Sequence, residues 1–218
     1  MNGVMKMTKL DFITMKSQFW AYLSLVAIII LFWTMGSSVV LLCTSGAWFT
    51  ALMAINIFAI QEKNGLDRLY GSVSVKLKEI VLGRYVFMFL NYLMAFFATI
   101  ILYFGVGLFL NEILHITDVI TGFSISFLMF SAIIGVQMPM FFKMGYTKAK
   151  VWGLVPFIAV LALSIAIQSF ANTPLSGVVA FMQSHKDILI IGGILASCII
   201  QFLSYQIAVV AYRKKKRG

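Results

Sequence analysis

The sequence predicts an all-α integral membrane protein that forms one transmembrane domain over residues 1–218. Hydrophobic residues make up 61% of the chain and charged residues only 11%, which is far from the average of soluble domains. Long uncharged stretches alternate with short basic clusters along the whole chain. A surface this apolar would aggregate in water, so lipid is the expected solvent.

Six transmembrane helices follow from the lengths of the uncharged stretches. A helix needs about 20 residues to cross the hydrocarbon core. The stretch from Ser17 to Gln61 is too long for one crossing, and Gly36-Ser37-Ser38 offers a turn near its middle. Asn172-Thr173-Pro174 ends the fifth span in the same way. The six predicted spans cover about residues 19–36, 39–60, 81–110, 119–142, 151–170 and 188–211.

The distribution of positive charge agrees with six spans. Six crossings place 16 of the 17 Lys and Arg residues on one side of the membrane. Cytoplasmic loops retain Lys and Arg because positive segments resist translocation, so this side and both termini are predicted to be cytoplasmic. Anionic lipid explains the net charge of +10 without a nucleic-acid partner. The clusters are Lys6, Lys9 and Lys16; Lys63, Arg68, Lys76, Lys78 and Arg84; Lys143, Lys148 and Lys150; and Arg213 through Arg217.

The first sixteen residues predict a short helix that lies in the inner membrane interface. On a helical wheel Lys9 and Lys16 share a face, while Met7, Leu10 and Thr14 lie toward the other side. A frayed cytoplasmic tail is one alternative. A signal peptide is another, because basic residues precede an apolar run. The run continues without a break into the second predicted span, which favours a retained first hairpin.

Away from their boundaries, the predicted spans contain no Asp, Glu, Lys, Arg or His. Charges retained inside a membrane usually mark proton or ion pathways, so a proton-coupled carrier is disfavoured. A sodium site built from backbone carbonyls remains open. No cluster of His, Cys or carboxylate residues predicts a metal site. The sequence has no GxxxxGK[ST] phosphate loop, and no enzymatic activity is predicted for this chain.

Uncharged polar residues do lie in the predicted spans. Side-chain amides inside a membrane more often join helices by hydrogen bonds than line a translocation path. Asn56, Asn91 and Gln168 are the candidates for residues of a substrate path. The first two spans and the fifth are the candidates for its walls.

The loop after the second span carries the most specific signal. Asn64 is a favourable helix N-cap, and Asp67 follows three residues later, where an acidic residue stabilises the start of a helix. The short helix predicted here places Leu66, Leu69 and Tyr70 on one face. So short a helix is unstable alone, and its apolar face needs a surface to cover it. Lipid headgroups and a cytoplasmic partner protein are both possible covers.

The same loop resembles part of a known protein family. The runs EKNGLDRLY at residues 62–70 and SVSVKLKEIVLGRY at residues 72–85 resemble the loop of small six-span type-two ABC exporter permeases of Gram-positive bacteria. That family typically shows an acidic residue, Asn-Gly-Trp-Asp-Arg, a Ser-Leu-Pro-like turn and a basic run into Glu-Ile-Val. Here Leu66 stands in place of the Trp, and the turn has no Pro. A basic interfacial N-terminus, six spans and a basic tail also agree with the family's layout.

The resemblance implies that residues 61–80, called the coupling loop below, contain a coupling helix that docks on a separate ATPase. Two copies of that ATPase and a second permease chain, identical or homologous, are the implied partners, with membrane lipid around them. ATP and Mg²⁺ would be bound by the ATPase, and no cofactor by this chain. The implied docking residues are Glu62, Asn64, Gly65, Leu66, Asp67, Arg68, Leu69 and Tyr70.

The function that the resemblance implies is export from a bacterial cell, across its membrane, of an amphipathic or apolar substrate. The family's substrates include antimicrobial and cytolytic peptides, such as lantibiotics and phenol-soluble modulins, which favours a peptide. Two alternatives stay open from the residues alone. One is a membrane protein that does not transport but serves in immunity, assembly or sensing, and the other is a self-contained channel.

Overall fold

The computed structural model describes residues 3–16, 19–66, 75–110, 115–170 and 186–217. Within these ranges the chain is helical and has no strand, which confirms the predicted all-α class. A 3-10 turn at Trp152–Leu154 directly precedes the helix Val155–Phe170. The α-helices are α1 (Gly3–Met15), α2 (Phe19–Thr34), α3 (Val39–Lys63), α4 (Leu77–Leu110), α5 (Ile116–Met144), α6 (Tyr146–Ala149), α7 (Val155–Phe170) and α8 (Lys186–Arg217).

The turn between α2 and α3 lies where the sequence predicts it. Gly36 has a φ of 73°, a left-handed conformation that residues with a Cβ rarely adopt. Ser38 precedes α3 and caps it, because its side chain accepts a hydrogen bond from the backbone N–H of Leu41. The long uncharged stretch is therefore two packed helices joined by a tight turn.

The two ends of the helix bundle differ in charge. At one end α3 and α6 meet through a hydrogen bond from the Tyr146 N–H to the Glu62 carboxylate. The Phe142 ring lies 5.2 Å from that of Tyr212 near the end of α8. We call this the basic end, because Lys63, Lys148 and Lys215 lie in the helix ends that meet there. At the opposite end, Asp118 and the Gly36–Ser38 turn line a common cavity. The Gly36–Ser38 turn thus lies near the start of α5, away from the Glu62–Tyr146 contact.

Helix α5 lies at the centre of the bundle and packs most extensively against α8 and α3. Aromatic rings fill its contact with α4. The Tyr92 ring stacks on Phe130 with 4.7 Å between centroids. Its hydroxyl shares a 2.8 Å hydrogen bond with the Ser126 hydroxyl, so the one polar atom of the ring has a partner inside the apolar core.

Small and polar side chains join α5 to its neighbours. Ser204 of α8 donates a 2.8 Å hydrogen bond to the Gly135 carbonyl, and the Gln201 amide donates one of 3.3 Å to Ser131. The Gln137 amide donates a 2.7 Å hydrogen bond to the Gly153 carbonyl in the 3-10 turn. These amides act between helices, which is the commoner of the two roles that the sequence allows.

Among the described residues, four helices are long and apolar enough to cross a membrane, namely α3, α4, α5 and α8. A fifth crossing results if α1 and α2, whose axes make an angle of 78°, are counted together. Helices α2 and α7 have 16 residues each, or about 24 Å of helix against a hydrocarbon core of about 30 Å. The predicted count of six therefore stays a prediction, although each predicted span coincides with a helix.

Helix α1 packs across the first turns of α4. The contact is close because Gly83 has no side chain: a Cβ there would lie 2.6 Å from Met7 Cβ and 3.1 Å from the Val4 carbonyl oxygen. Thr8 donates a 3.0 Å hydrogen bond to the Gly83 carbonyl. Met7 and Met15 are buried, whereas Lys9 and Lys16 are exposed. The two-sided character predicted for α1 is thus present, with its apolar side on protein.

Replacing Gly83 with Ala should displace α1, because the new methyl group would overlap Met7. Overpacking of this kind costs about 1–3 kcal/mol, which lowers the thermal midpoint of a chain of this size by several degrees. Gly105→Ala in the same helix is the matched control, since no atom lies within 4 Å of its Cβ position. Melting of both purified variants in detergent measures the difference. Equal midpoints for the two variants would contradict the close contact.

Candidate functional site

The structure describes the first part of the predicted docking segment. Glu62 lies in the last turn of α3, and Asn64 is the C-cap of that helix, donating to the Ile60 and Glu62 carbonyls. The short helix for which Asn64 is the predicted N-cap would extend over residues outside the described ones, so that role stays a prediction. Gly65 follows with a φ of 59°, and Leu66 is half-buried against the core. The remaining predicted docking residues, Asp67, Arg68, Leu69 and Tyr70, lie outside the described residues.

The Glu62 carboxylate holds the start of α6. It accepts hydrogen bonds from the backbone N–H groups of Tyr146, at 2.6 Å, and Thr147, at 3.2 Å. It also accepts one from the Thr147 hydroxyl. The N–H groups in the first turn of a helix have no partner within the helix, and a carboxylate satisfies them and complements their partial positive charge. Glu62 therefore caps α6 from another helix, 84 residues earlier in the sequence.

Gly145 and Lys215 complete the surroundings of this carboxylate. Gly145 has a φ of 77°, and a Cβ there would lie 3.2 Å from Glu62 Oε2 and 3.6 Å from Lys215 Nζ. A glycine thus allows both the turn between α5 and α6 and the close approach of Glu62. Lys215 brings a positive charge from the end of α8. The end of α3, the start of α6 and the end of α8 converge on one acidic side chain at the basic end.

A buried ion pair lies next to this convergence. Asp11 of α1 and Arg84 of α4 are only 2% and 1% exposed, and Arg84 Nε lies 3.6 Å from Asp11 Oδ2. Burial raises the pKa of the Asp11 carboxyl to about 6, although the Arg84 guanidinium opposes that rise. The carboxyl is therefore ionised near neutral pH, where it offsets the charge of Arg84.

Arg84 also contacts aromatic rings from two further helices. Its guanidinium carbon lies 4.5 Å from the ring centroid of Phe58 in α3 and 5.7 Å from that of Phe142 in α5. Cations are attracted to aromatic faces, and the attraction is stronger when both are desolvated. Phe58 precedes Glu62 by one helical turn, and Phe142 precedes Gly145 by three residues. The ion pair and the Glu62 cap are thus connected through packed side chains.

The sequence indicated only part of this arrangement. It placed Arg84 in a cytoplasmic basic cluster, whereas the structure buries Arg84 within the bundle. Asp11 and the turn at Gly145-Tyr146-Thr147 drew no prediction. The sequence signal for the turn at Gly145 was a glycine that follows a long apolar run and precedes a helix start. No comparable local signal pairs Asp11 with Arg84, because their partnership depends on how α1 packs on α4.

The three residues predicted for a substrate path differ in their surroundings. Asn91 is 2% exposed, and its Oδ1 accepts a 2.9 Å hydrogen bond from the Tyr22 hydroxyl. It lines a cavity of about 540 Å³ between α1, α2 and α4. Asn56 is half-buried on α3, where its amide contacts Met53 Sδ at 3.5 Å, and it does not line that cavity. Gln168 belongs to α7, and its side chain lies outside the described part of the structure.

Potential metal ligands do not cluster in the described residues. Within those ranges, no three His, Cys, Asp or Glu side chains lie close enough together to hold a metal ion. The site at the basic end is instead a set of hydrogen bonds and charges that fixes one chain segment against another.

Comparison with known families decides the class of the protein. The model of the ABC-2 family of transporter proteins matches residues 6–213. The chain belongs to this family. No curated protein and no solved structure shows significant similarity to it. The ABC-2 permease is therefore a multi-pass membrane protein and the transport component of an ABC transporter, which works with a separate ATPase.

Replacing Glu62 with Ala should loosen the start of α6 in the permease. The backbone N–H groups of Tyr146 and Thr147 would lose their acceptor, and each such hydrogen bond contributes about 1 kcal/mol. We expect amide hydrogen exchange at these two residues to accelerate by about tenfold. Asp118→Ala, which removes an exposed acid from the opposite end, is the matched control. Unchanged exchange in Glu62→Ala would show that the cap does not hold α6.

Replacing Asp11 with Ala should destabilise the permease strongly. Removing one member of a buried ion pair costs about 3–5 kcal/mol, because the remaining charge loses its neighbour. The double variant Asp11→Ala with Arg84→Met, which removes both charges, should recover part of the loss. Denaturation midpoints of the wild type, both single variants and the double variant measure the coupling. Additive losses would contradict a direct interaction between the two side chains.

Proposed function

We propose that this ABC-2 permease is the membrane subunit of an exporter and that residues 62–70 dock on the ATPase. The observation that carries the proposal is the Glu62 cap. It fixes the end of α3 against α6 and α8 at the basic end. The docking residues therefore follow a helix end that other helices hold in place. Glu62 and Asn64 in this position belong to the run that resembles the family's coupling segment. A docking element has to be held against other helices in this way if its displacement is to reach the membrane-spanning helices.

The proposed topology has a single domain over residues 1–218, six spans and both termini in the cytoplasm of a bacterial cell. Helix α7 and the preceding 3-10 turn form a helical stretch over residues 152–170, which is close to the length that a crossing needs. The gathering of the basic clusters at one end supports a cytoplasmic location for that end. In this topology α1 lies along the inner interface, and α2 forms the first crossing.

The proposed mechanism transmits closure of the ATPases into the spans. Two ATPase subunits, which hold the ATP and Mg²⁺, serve two permease chains that are identical or homologous. When the ATPases close, the docking residues move, and the Glu62 cap carries the displacement to α6 and α8. Arg84 of α4 contacts Phe58, which lies one helical turn before Glu62 in α3, and it also contacts Asp11 of α1 and Phe142 of α5. Displacement of α3 therefore also reaches α1.

The proposed substrate is an amphipathic or apolar molecule, and a peptide is favoured by the resemblance to Gram-positive exporters. The spans carry many aromatic and apolar side chains, and several of their amides and hydroxyls are joined in pairs between helices. Such an interior suits a substrate that enters from the membrane. An exported peptide of this class would move outward from the cytoplasmic leaflet.

Co-purification tests the docking proposal. Leu69→Asp with Tyr70→Asp places two charges on the predicted apolar face of the coupling loop, and it should reduce ATPase recovery at least tenfold when both subunits are co-expressed. Met35→Asp with Ile116→Asp is the matched control. It makes the same changes at residues that are 72% and 71% exposed at the opposite end, and the complex should survive. An intact complex in the Leu69/Tyr70 variant would refute docking through this loop.

ATP-driven transport tests the exporter proposal separately. Proteoliposomes that contain the permease–ATPase complex should accumulate an amphipathic peptide only when ATP is supplied on the ATPase side. Glu62→Ala should retain the ATPase but slow peptide transport severalfold, because the brace between the docking segment and α6 is lost. A complex that hydrolyses ATP without moving peptide, lipid or drug would favour the non-transporting alternative. Conductance of the permease alone would favour a channel.

A further inference from the structure

The cavity between α1, α2 and α4 has the composition of a lipid-binding site. Its volume is about 540 Å³, and its walls are almost entirely apolar, with Leu25 from α2 and Phe87 and Ala98 from α4 among them. Two lysines of α1, Lys9 and Lys16, line it as well, and no acidic side chain does. An apolar space with positive charge on one wall complements an amphiphile that carries a negative headgroup.

The two lysines can act on one headgroup. They are seven residues apart on α1, which is about two helical turns, so they lie on the same side of the helix about 10 Å from each other. Both side chains are exposed. The apolar stem of a lysine can lie along the cavity wall while its ammonium group reaches the polar layer. A phosphate between them would be within reach of both charges.

A buried polar atom supports the same ligand. Asn91 lines the cavity and is 2% exposed, and its Nδ2 has no hydrogen-bond partner. The Oδ1 of the same amide accepts a hydrogen bond from the Tyr22 hydroxyl. The Nδ2 is therefore the donor atom of this side chain that lacks an acceptor. A buried donor without an acceptor is costly, and a ligand that brings an acceptor removes the cost. Asn91 follows Arg84 by seven residues, so it lies about 10 Å further into the bundle than the ion pair.

We propose that this cavity binds an anionic phospholipid. The phosphate contacts Lys9 and Lys16, a glycerol ester carbonyl accepts a hydrogen bond from Asn91 Nδ2, and an acyl chain fills the space against Leu25, Phe87 and Ala98. A peptide is less suited to the site, because every buried backbone N–H and C=O needs a partner and the walls offer few. The proposal concerns the lipid and does not depend on ATPase docking.

Native mass spectrometry of the full chain in detergent tests this assignment. The probes are dioleoyl phosphatidylglycerol and dioleoyl phosphatidylcholine, which share their acyl chains and differ in net charge. The wild type should retain phosphatidylglycerol in preference to phosphatidylcholine. Lys9→Gln with Lys16→Gln should weaken phosphatidylglycerol binding by about tenfold and leave phosphatidylcholine binding unchanged. Ala98→Phe should weaken the binding of both lipids, because the new ring fills the cavity.

The matched control is Lys148→Gln with Lys150→Gln. It removes two exposed charges from the same end of the molecule, and neither residue lines the cavity. An equal loss of phosphatidylglycerol in this control would mean a general charge effect and overturn the proposal. Unchanged lipid binding in the Lys9/Lys16 variant or in Ala98→Phe would overturn it too. A neutral amphipathic Leu/Ser peptide gives a further test. The proposal would be overturned if this peptide displaced the lipid and bound the Lys9/Lys16 variant as tightly as it binds the wild type.

Discussion

The charge of Arg84 is the constraint on which the basic end of the bundle depends. A guanidinium that is 1% exposed loses its hydration, and the loss has to be offset by neighbouring groups. Asp11 of α1 supplies the opposite charge, and Phe58 of α3 and Phe142 of α5 supply aromatic faces. Four helices therefore have fixed relative positions at this point. The close contact at Gly83 and the Glu62 cap lie on either side of Arg84, and both depend on the packing of these helices.

This arrangement connects the basic end of the permease to its long helices. Glu62 lies in the last turn of α3, within the coupling loop, and its carboxylate holds the start of α6. Hydrogen bonds to a charged group are short and directional, so the two segments move together. The Phe58 and Phe141 rings stack at 4.9 Å one turn further into the bundle. A displacement applied to the docking segment therefore meets packed rings within one helical turn.

The sequence predicted the features that local patterns encode. Hydropathy placed the helices, and Gly36 and Ser38 marked the turn between α2 and α3, because backbone conformation and capping depend on the residues themselves. The C-cap position of Asn64 was not indicated by the local pattern, because α3 continues past the apolar run as far as Lys63. Asp11–Arg84 and Glu62–Tyr146 could not be predicted, since each pair depends on tertiary packing between residues far apart in the sequence. Charge patterns alone placed Arg84 in a cytoplasmic basic cluster and gave no role to Asp11 or Tyr146.

The contact between α1 and α4 also has a consequence for biogenesis. Thr8 and Gly83, which share a buried hydrogen bond, are 75 residues apart in the sequence. A membrane chain is synthesised from its N-terminus, so α1 leaves the ribosome before the helix on which it packs exists. Until α4 is inserted, Asp11 and the buried methionines of α1 have only headgroups and water as neighbours. Completion of the basic end thus has to follow insertion of α4, and α1 is made before α4 but reaches its final position only after it.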